Sequence, residues 1–266
     1  MSSAQTSHEW WTLRASRQSD VRPSMKASRL AARIAKSLVP AGLMKLYLET
    51  RYSRETGRRG ALFKLQPRLI TEIFPGIGSI SARLSIAHIP ERPDMVMPLK
   101  ETLAIATICQ WLQPQRAFEI GTYTGTTTLA IAMNSHADAE VFTLDLPPRQ
   151  AAQFLSDHHV GAAYRATAAG KNVKQLYGDS KTFDFHPYYT KMDLVLVDGN
   201  HDCEVVKLDS ENALKMIRPA GVIIWDDYLW DKKYPECAGV TRCLDELVRE
   251  YDIANIAGTR LAVCRR

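Results

Sequence analysis

Glu119-Ile120-Gly121-Thr122-Tyr123-Thr124-Gly125-Thr126-Thr127 is the stretch on which the reading of the whole chain turns. A short apolar run, Ala117–Ile120, ends in a glycine-bearing turn and passes into a helical stretch, Thr126–Met133. In an open α/β sheet such a joint lies at the carboxyl end of a strand, where ligands bind. Glycine lets backbone approach a ligand closely, and a helix N-terminus offers unpaired N–H groups to an anion. Thr126 and Thr127 add hydroxyl donors. Asp145 closes the next apolar run, Val141–Leu144, 24 positions after Gly121. A carboxylate there is placed to accept hydrogen bonds from a ribose diol.

Outward from this turn, apolar runs alternate with helical stretches, the pattern of a parallel sheet with crossover helices. Further strands are predicted at Val173–Tyr177, Leu194–Val197 and Val222–Trp225, and helices at Glu204–Ile217 and Thr241–Glu250. The unbroken apolar runs Leu194–Val197 and Val222–Trp225 suit parallel strands buried on both faces. Upstream, a helix starts at Leu99, with Leu103, Ile105, Ala106 and Cys109 as its apolar face. Tyr251–Ala257 and Arg260–Cys264, joined by Gly258-Thr259, form a hairpin, so one strand must run antiparallel. Spacing then narrows the cofactor. The turn is E-x-G-x-x-x-G, not the G-x-G-x-x-G of a nicotinamide site, and no Gly-Lys-Ser/Thr follows to make a P-loop. A nicotinamide oxidoreductase is therefore the weaker enzyme reading, and a non-catalytic cofactor-binding protein is the other alternative.

The nine residues from Glu119 to Thr127 resemble motif I of class I S-adenosylmethionine-dependent methyltransferases, most closely the small-molecule O-methyltransferases of catechol and macrocin type. The resemblance implies a Rossmann-like fold: a mostly parallel seven-stranded sheet ending in an antiparallel hairpin, with helices on both faces. It implies that Glu119, Gly121, Thr122, Tyr123, Gly125 and Thr127 hold the methionine part of S-adenosylmethionine. Asp145 would hold the ribose, and Gly178-Asp179-Ser180, after the third strand, would flank the adenine.

A second feature is acidic. The fourth strand ends in Asp198-Gly199-Asn200-His201 and the fifth in Asp226-Asp227. Adjacent parallel strands bring these carboxylates to one rim, where they repel unless protonated or bound to a cation. An oxygen-only donor set favours Mg²⁺ or another hard ion over zinc. Cation-dependent O-methyltransferases carry a similar set, and the resemblance makes Asp198, Asp226 and Asp227 metal ligands, with Asp198 also beside the cofactor. The lysine that the catechol type uses as base is missing here. His201 is the candidate base, or else a histidine that orients a neighbouring carboxylate. The alternatives for Asp227 and Asp198 are a turn cap and a contact with the cofactor's surroundings. A bound cation would favour a small-molecule substrate with vicinal hydroxyls. Tyr188-Tyr189 and Trp230 either line a substrate pocket or cover the sheet edge, and Asp157-His158-His159 has no further ligand nearby in sequence.

Composition sets the frame. Over 266 residues, 45% are hydrophobic and 24% charged, with a mean hydropathy of −0.21, as in ordinary globular proteins. No run of about 18 apolar residues suggests a membrane span, and the first residues do not read as a secretory signal. Five cysteines without CxxC spacing argue for a reducing, cytoplasmic setting. Residues 1–70 hold 14 Lys/Arg against 4 Asp/Glu, and residues 71–266 hold 20 against 25. The basic character thus belongs to an N-terminal extension, residues 1–60, partly disordered and partly helical. Within it, Leu30, Ile34 and Leu38 mark a basic amphipathic helix suited to packing, to a homodimer contact or to a peripheral membrane surface. Residues 61–98 form an irregular lead-in, and 99–266 the methyltransferase domain. No base-amine motif of the Asn-Pro-Pro-Tyr type is present, so a nucleic-acid substrate is not expected.

Overall fold

The structure, a computed structural model, describes residues 64–86, 96–151, 160–229 and 234–266. The basic helix expected around residues 30–38, the Asp157-His158-His159 segment and Trp230 lie outside them. Eight strands form one sheet in the order β1-β7-β8-β6-β5-β2-β3-β4. They are β1 (Pro67–Arg68), β2 (Arg116–Ile120), β3 (Glu140–Asp145), β4 (Val173–Tyr177), β5 (Met192–Val197), β6 (Ile217–Trp225), β7 (Ile253–Ile256) and β8 (Ala262–Arg265). Strand β8 runs antiparallel to both β6 and β7, and the remaining pairs are parallel. The hairpin and the mostly parallel sheet are as the sequence predicts.

The sheet has one strand more than the seven expected. Strand β1 comes from the segment read as irregular lead-in and spans only two residues, too short for any periodicity to reveal it. Pro67 suits this edge position, because a proline has no N–H for the ladder. Bonds flanking the ladder help to tie β1 on, from the Asn255 N–H to the Gln66 carbonyl and from the Ala257 N–H, just past β7, to that of Arg68.

The α-helices among the described residues are α1 (Ile70–Ile73), α2 (Leu99–Leu112), α3 (Thr126–Asn134), α4 (Pro148–Ala151), α5 (Ala162–Arg165), α6 (Cys203–Met216) and α7 (Ala238–Leu247). Alternation along the strands feeds two separate cores. Phe118, Val195, Val197, Ile223 and Trp225 face α6 and α7 residues such as Val206, Met216 and Leu244. Ala117, Leu194, Leu196, Val222 and Ile224 face Ile105, Ile108 and Ile131 from α2 and α3. Helices therefore cover both faces. Two details differ from the pattern. Leu103 is 46% exposed, since the α2 face that packs runs through Ala104, Ile105, Ile108 and Cys109. Helix α7 begins at Ala238, three residues before the predicted Thr241, from a 3-10 turn at Pro235–Cys237. No helix among the described residues is long and apolar enough to cross a membrane.

Strand order places the site. The chain lays down β2, β3 and β4 outward to one side, then returns to β5 on the other side of β2. Between the carboxyl ends of β2 and β5 the connections diverge, leaving a crevice at a topological switch point.

Candidate active site at the switch point

Gly121 lies at that crevice with φ +101°, and a Cβ there would stand 2.0 Å from the Asp198 carbonyl oxygen. Only glycine lets the β2 and β5 loops approach this closely. The turn then closes by a bond from the Gly125 N–H to the Thr122 carbonyl, 2.8 Å. Gly125 (φ +79°) faces the Tyr164 ring, which leaves no room for a side chain. Nothing in the sequence singled out Tyr164; it comes from α5 and gives its hydroxyl hydrogen to Gln175.

Asp145 gathers the turn from below. Its Oδ2 accepts the N–H groups of Thr122 (3.1 Å) and Tyr123 (2.7 Å), and Oδ1 that of Leu146 (2.7 Å). Tyr123 adopts a left-handed φ of 47°, a conformation sparsely used by residues other than glycine. Glu119 is fully buried behind the turn and accepts hydroxyl hydrogens from Thr128 and Thr143. Its Oε1 has no hydrogen-bond partner among the described residues. Burial pushes its carboxyl up to about 8, against the pull of the two threonines, so at neutral pH it is largely uncharged.

A cavity of about 1200 Å³ opens above the turn, lined among others by Gly121, Tyr123, Asp145, Ser180, Asp198 and Arg260. Drug-sized ligands occupy roughly 300–1,000 Å³, so a nucleoside-sized ligand and a small second molecule fit together. Thr122, Thr127, Gly178, Asp179, His201, Asp226 and Asp227 also reach it, whereas Glu119 and Gly125 do not line it. Tyr188 and Tyr189 lie elsewhere. Tyr188 packs edge-on against Phe118 and Phe142, and Tyr189 bonds Asn212; they cover the sheet.

The three carboxylates of the rim do converge, with ligand atoms of Asp198, Asp226 and Asp227 within 4.8 Å of one another. They are not alone. The Arg260 guanidinium spans Asp226, with Nε 3.0 Å from Oδ1 and Nη2 2.9 Å from Oδ2, and its Nε lies 3.2 Å from Asp227 Oδ1. The other Asp227 oxygen, Oδ2, meets His201 Nε2 at 2.7 Å. Asp227 holds a left-handed φ of 62°, a strained position of the kind found at functional sites. Gly239 seats the His201 loop: a Cβ there would be 2.1 Å from the His201 carbonyl oxygen.

These contacts divide the charges. Burial alone would lower His201, but the hydrogen bond and charge of Asp227 hold it above the ordinary histidine range. Burial would raise Asp227, yet His201 and Arg260 bring it below the usual carboxylate range. Asp226 is pushed up to about 7 by burial and by Asp227, with Arg260 opposing. Asp198 is held well above the carboxylate range by burial and by its two acidic neighbours. Its carboxylate makes no hydrogen bond among the described residues.

A divalent ion of the expected kind fits this donor set poorly. Asp226 commits both oxygens to Arg260, Asp227 divides its pair between Arg260 and His201, and only Asp198 is left uncommitted. Arg260 escaped the sequence reading because it sits in a hairpin turn, 33 positions after Asp227. Only the pairing of β8 beside β6, with Ala262 opposite Trp225, brings it over the rim.

Residues 118–228 match a family of methyltransferase domains. Tapetum-specific methyltransferase 1 of Arabidopsis thaliana is 24% identical over 195 residues, covering 65% of this chain and 78% of that protein. Among solved structures, the SAH-bound methyltransferase PaMTH1 of Podospora anserina is similar over 92% of this chain and 96% of its own, with 18% identity and a TM-score of 0.50. The O-methyltransferase TomG of Streptomyces achromogenes, with SAM, is 22% identical, covering 65% of this chain and 82% of its own, with a TM-score of 0.48. The PaMTH1 likeness speaks for the fold, and the family match covers the strands that build the turn and the rim. Motif, switch-point topology and family match agree: residues 118–228 are similar to methyltransferase domains, and they hold both the motif turn and the acidic rim.

Proposed function

We propose that this chain methylates a hydroxyl oxygen of a small molecule. The observation that carries the reading is a single cavity that joins the motif I turn to a rim of proton-handling side chains. The cradle at Gly121, where a Cβ has no room, suits S-adenosylmethionine. The backbone of Gly121–Thr127 would hold its methionine part, Asp145 its ribose and Gly178-Asp179-Ser180 its adenine. Bound there, the cofactor supplies a methyl group already activated by a positive sulfur.

The protein's share is alignment and removal of one proton. Asp198 is the side chain for the proton. It lines the cavity with no hydrogen-bond partner among the described residues, and burial beside Asp226 and Asp227 raises its affinity for a proton. His201 is less suited to act as base, since its Nε2 is already engaged by Asp227 at 2.7 Å; it positions Asp227, which in turn helps to fix Arg260. The five cysteines, all buried and unpaired, support a reducing, cytoplasmic setting.

The experiment is transfer of label from methyl-tritiated S-adenosylmethionine to a panel of phenols, catechols and sugar hydroxyls. Label recovered as an O-methyl ether, and lost with Asp198→Asn, is the expected result. Label recovered only on nitrogen or carbon overturns the reading.

A further inference from the structure

We propose that Arg260 is the resident cation of the acidic rim, filling the place where a divalent metal would be ligated, so that the acceptor oxygen meets a guanidinium instead of a metal ion. The acceptor's role rests on the methyl-transfer reading above; the identity of the cation does not.

The backbone of Arg260 is fixed independently of its side chain. Its carbonyl accepts the Tyr228 N–H at 2.9 Å, and its own N–H donates to Glu101 Oε1 at 3.3 Å. Two residues on, Ala262 is locked opposite Trp225 in the β6–β8 ladder. The guanidinium is thus delivered to Asp226 and Asp227 by sheet register, and its side chain is only 23% exposed. A planar fork on a carboxylate, two parallel bonds at 2.9 and 3.0 Å, is the strong and geometrically specific form of this pairing.

A hard divalent ion would need the same oxygens at about 2.0–2.6 Å. That would set a dication close to a fixed guanidinium that already holds both oxygens of Asp226 and one of Asp227. Arginine also cannot escape by losing its proton. The third nitrogen, Nη1, makes no hydrogen bond among the described residues, and Arg260 lines the cavity. It is the group free to donate to an acceptor oxygen. A metal selects vicinal oxygens by chelating both. A single guanidinium N–H requires one, so monohydroxyl acceptors should serve as well as diols.

The test is a titration of the full chain with Mn²⁺, followed by electron paramagnetic resonance, with calorimetry of S-adenosylhomocysteine on the same samples. The expected result is no saturable Mn²⁺ site in the wild type. Arg260→Met, which keeps bulk and removes charge, should gain one site per chain, and adding Asp226→Asn should remove it. A stoichiometric wild-type site abolished by Asp226→Asn would overturn the proposal, as would a folded Arg260→Met that gains none. If Arg260→Met does not fold, the wild-type titration decides alone. Loss of S-adenosylhomocysteine binding in the wild type would instead sink the methyl-transfer reading and leave the identity of the cation standing.

Discussion

Two carboxyls, Asp198 half-buried and Glu119 fully buried, show how one functional group takes different tasks from its surroundings. Asp198 lines the cavity with no hydrogen-bond partner among the described residues, so replacing it removes a proton acceptor and little else. Asp198→Asn should lower turnover by roughly 10²–10⁴-fold and leave S-adenosylhomocysteine affinity within a few-fold; equal losses in both would assign Asp198 to cofactor binding instead. Glu119 is sealed behind the turn and ionises near pH 8 in the fold against 4.5 as its ordinary value. Between those two values the folded chain holds the extra proton, so this residue's contribution to stability falls as pH rises. The slope amounts to about 1.4 kcal/mol per pH unit for a full proton. Urea unfolding at pH 5, 6.5 and 8 should show wild type losing stability relative to Glu119→Gln across that window. Parallel curves would mean that Glu119 is ionised throughout. These residues were visible in sequence as acids at strand ends. Their charge states were not, because those depend first on burial and then on Thr128 and Thr143 for Glu119 and on Asp226 and Asp227 for Asp198, which no local spacing connects to them.

At the level of elements, the turn between β2 and α3 is the most constrained joint. Gly121→Ala places a Cβ 2.0 Å from the Asp198 carbonyl at φ +101°, so the β2 and β5 loops must part. Thermal denaturation should register a loss of at least about 1 kcal/mol, together with weakened cofactor binding; an unchanged melting temperature would contradict the close approach. Gly121 and the strand before it were legible because glycine spacing and apolar runs are local signals. The last strand pair was legible as a hairpin, but not its consequence. Strand β8 inserts between β6 and β7, and that non-local choice carries Arg260 to the rim. Strand β1 was invisible for the opposite reason, having two residues and no pattern to read.

Across the described residues, two apolar cores on opposite faces of one sheet leave a long crevice at the carboxyl ends of the strands, and the acidic rim gathers there. All five cysteines are buried and none is paired, with Cys203 and Cys237 at the cavity wall, so the fold is held without cross-links. Ellman's reagent should find almost no reactive thiol in the native protein and five in denaturant; fewer than five after unfolding without reductant would reveal a disulfide. The central claim is that the crevice at Gly121 is a site for S-adenosylmethionine. Titration calorimetry with S-adenosylhomocysteine tests it most directly. The account predicts one site per chain, weakened by Asp145→Ala and by Gly121→Ala, with NADH giving no heat. No S-adenosylhomocysteine binding to a folded wild-type chain, or NADH binding in its place, would contradict it.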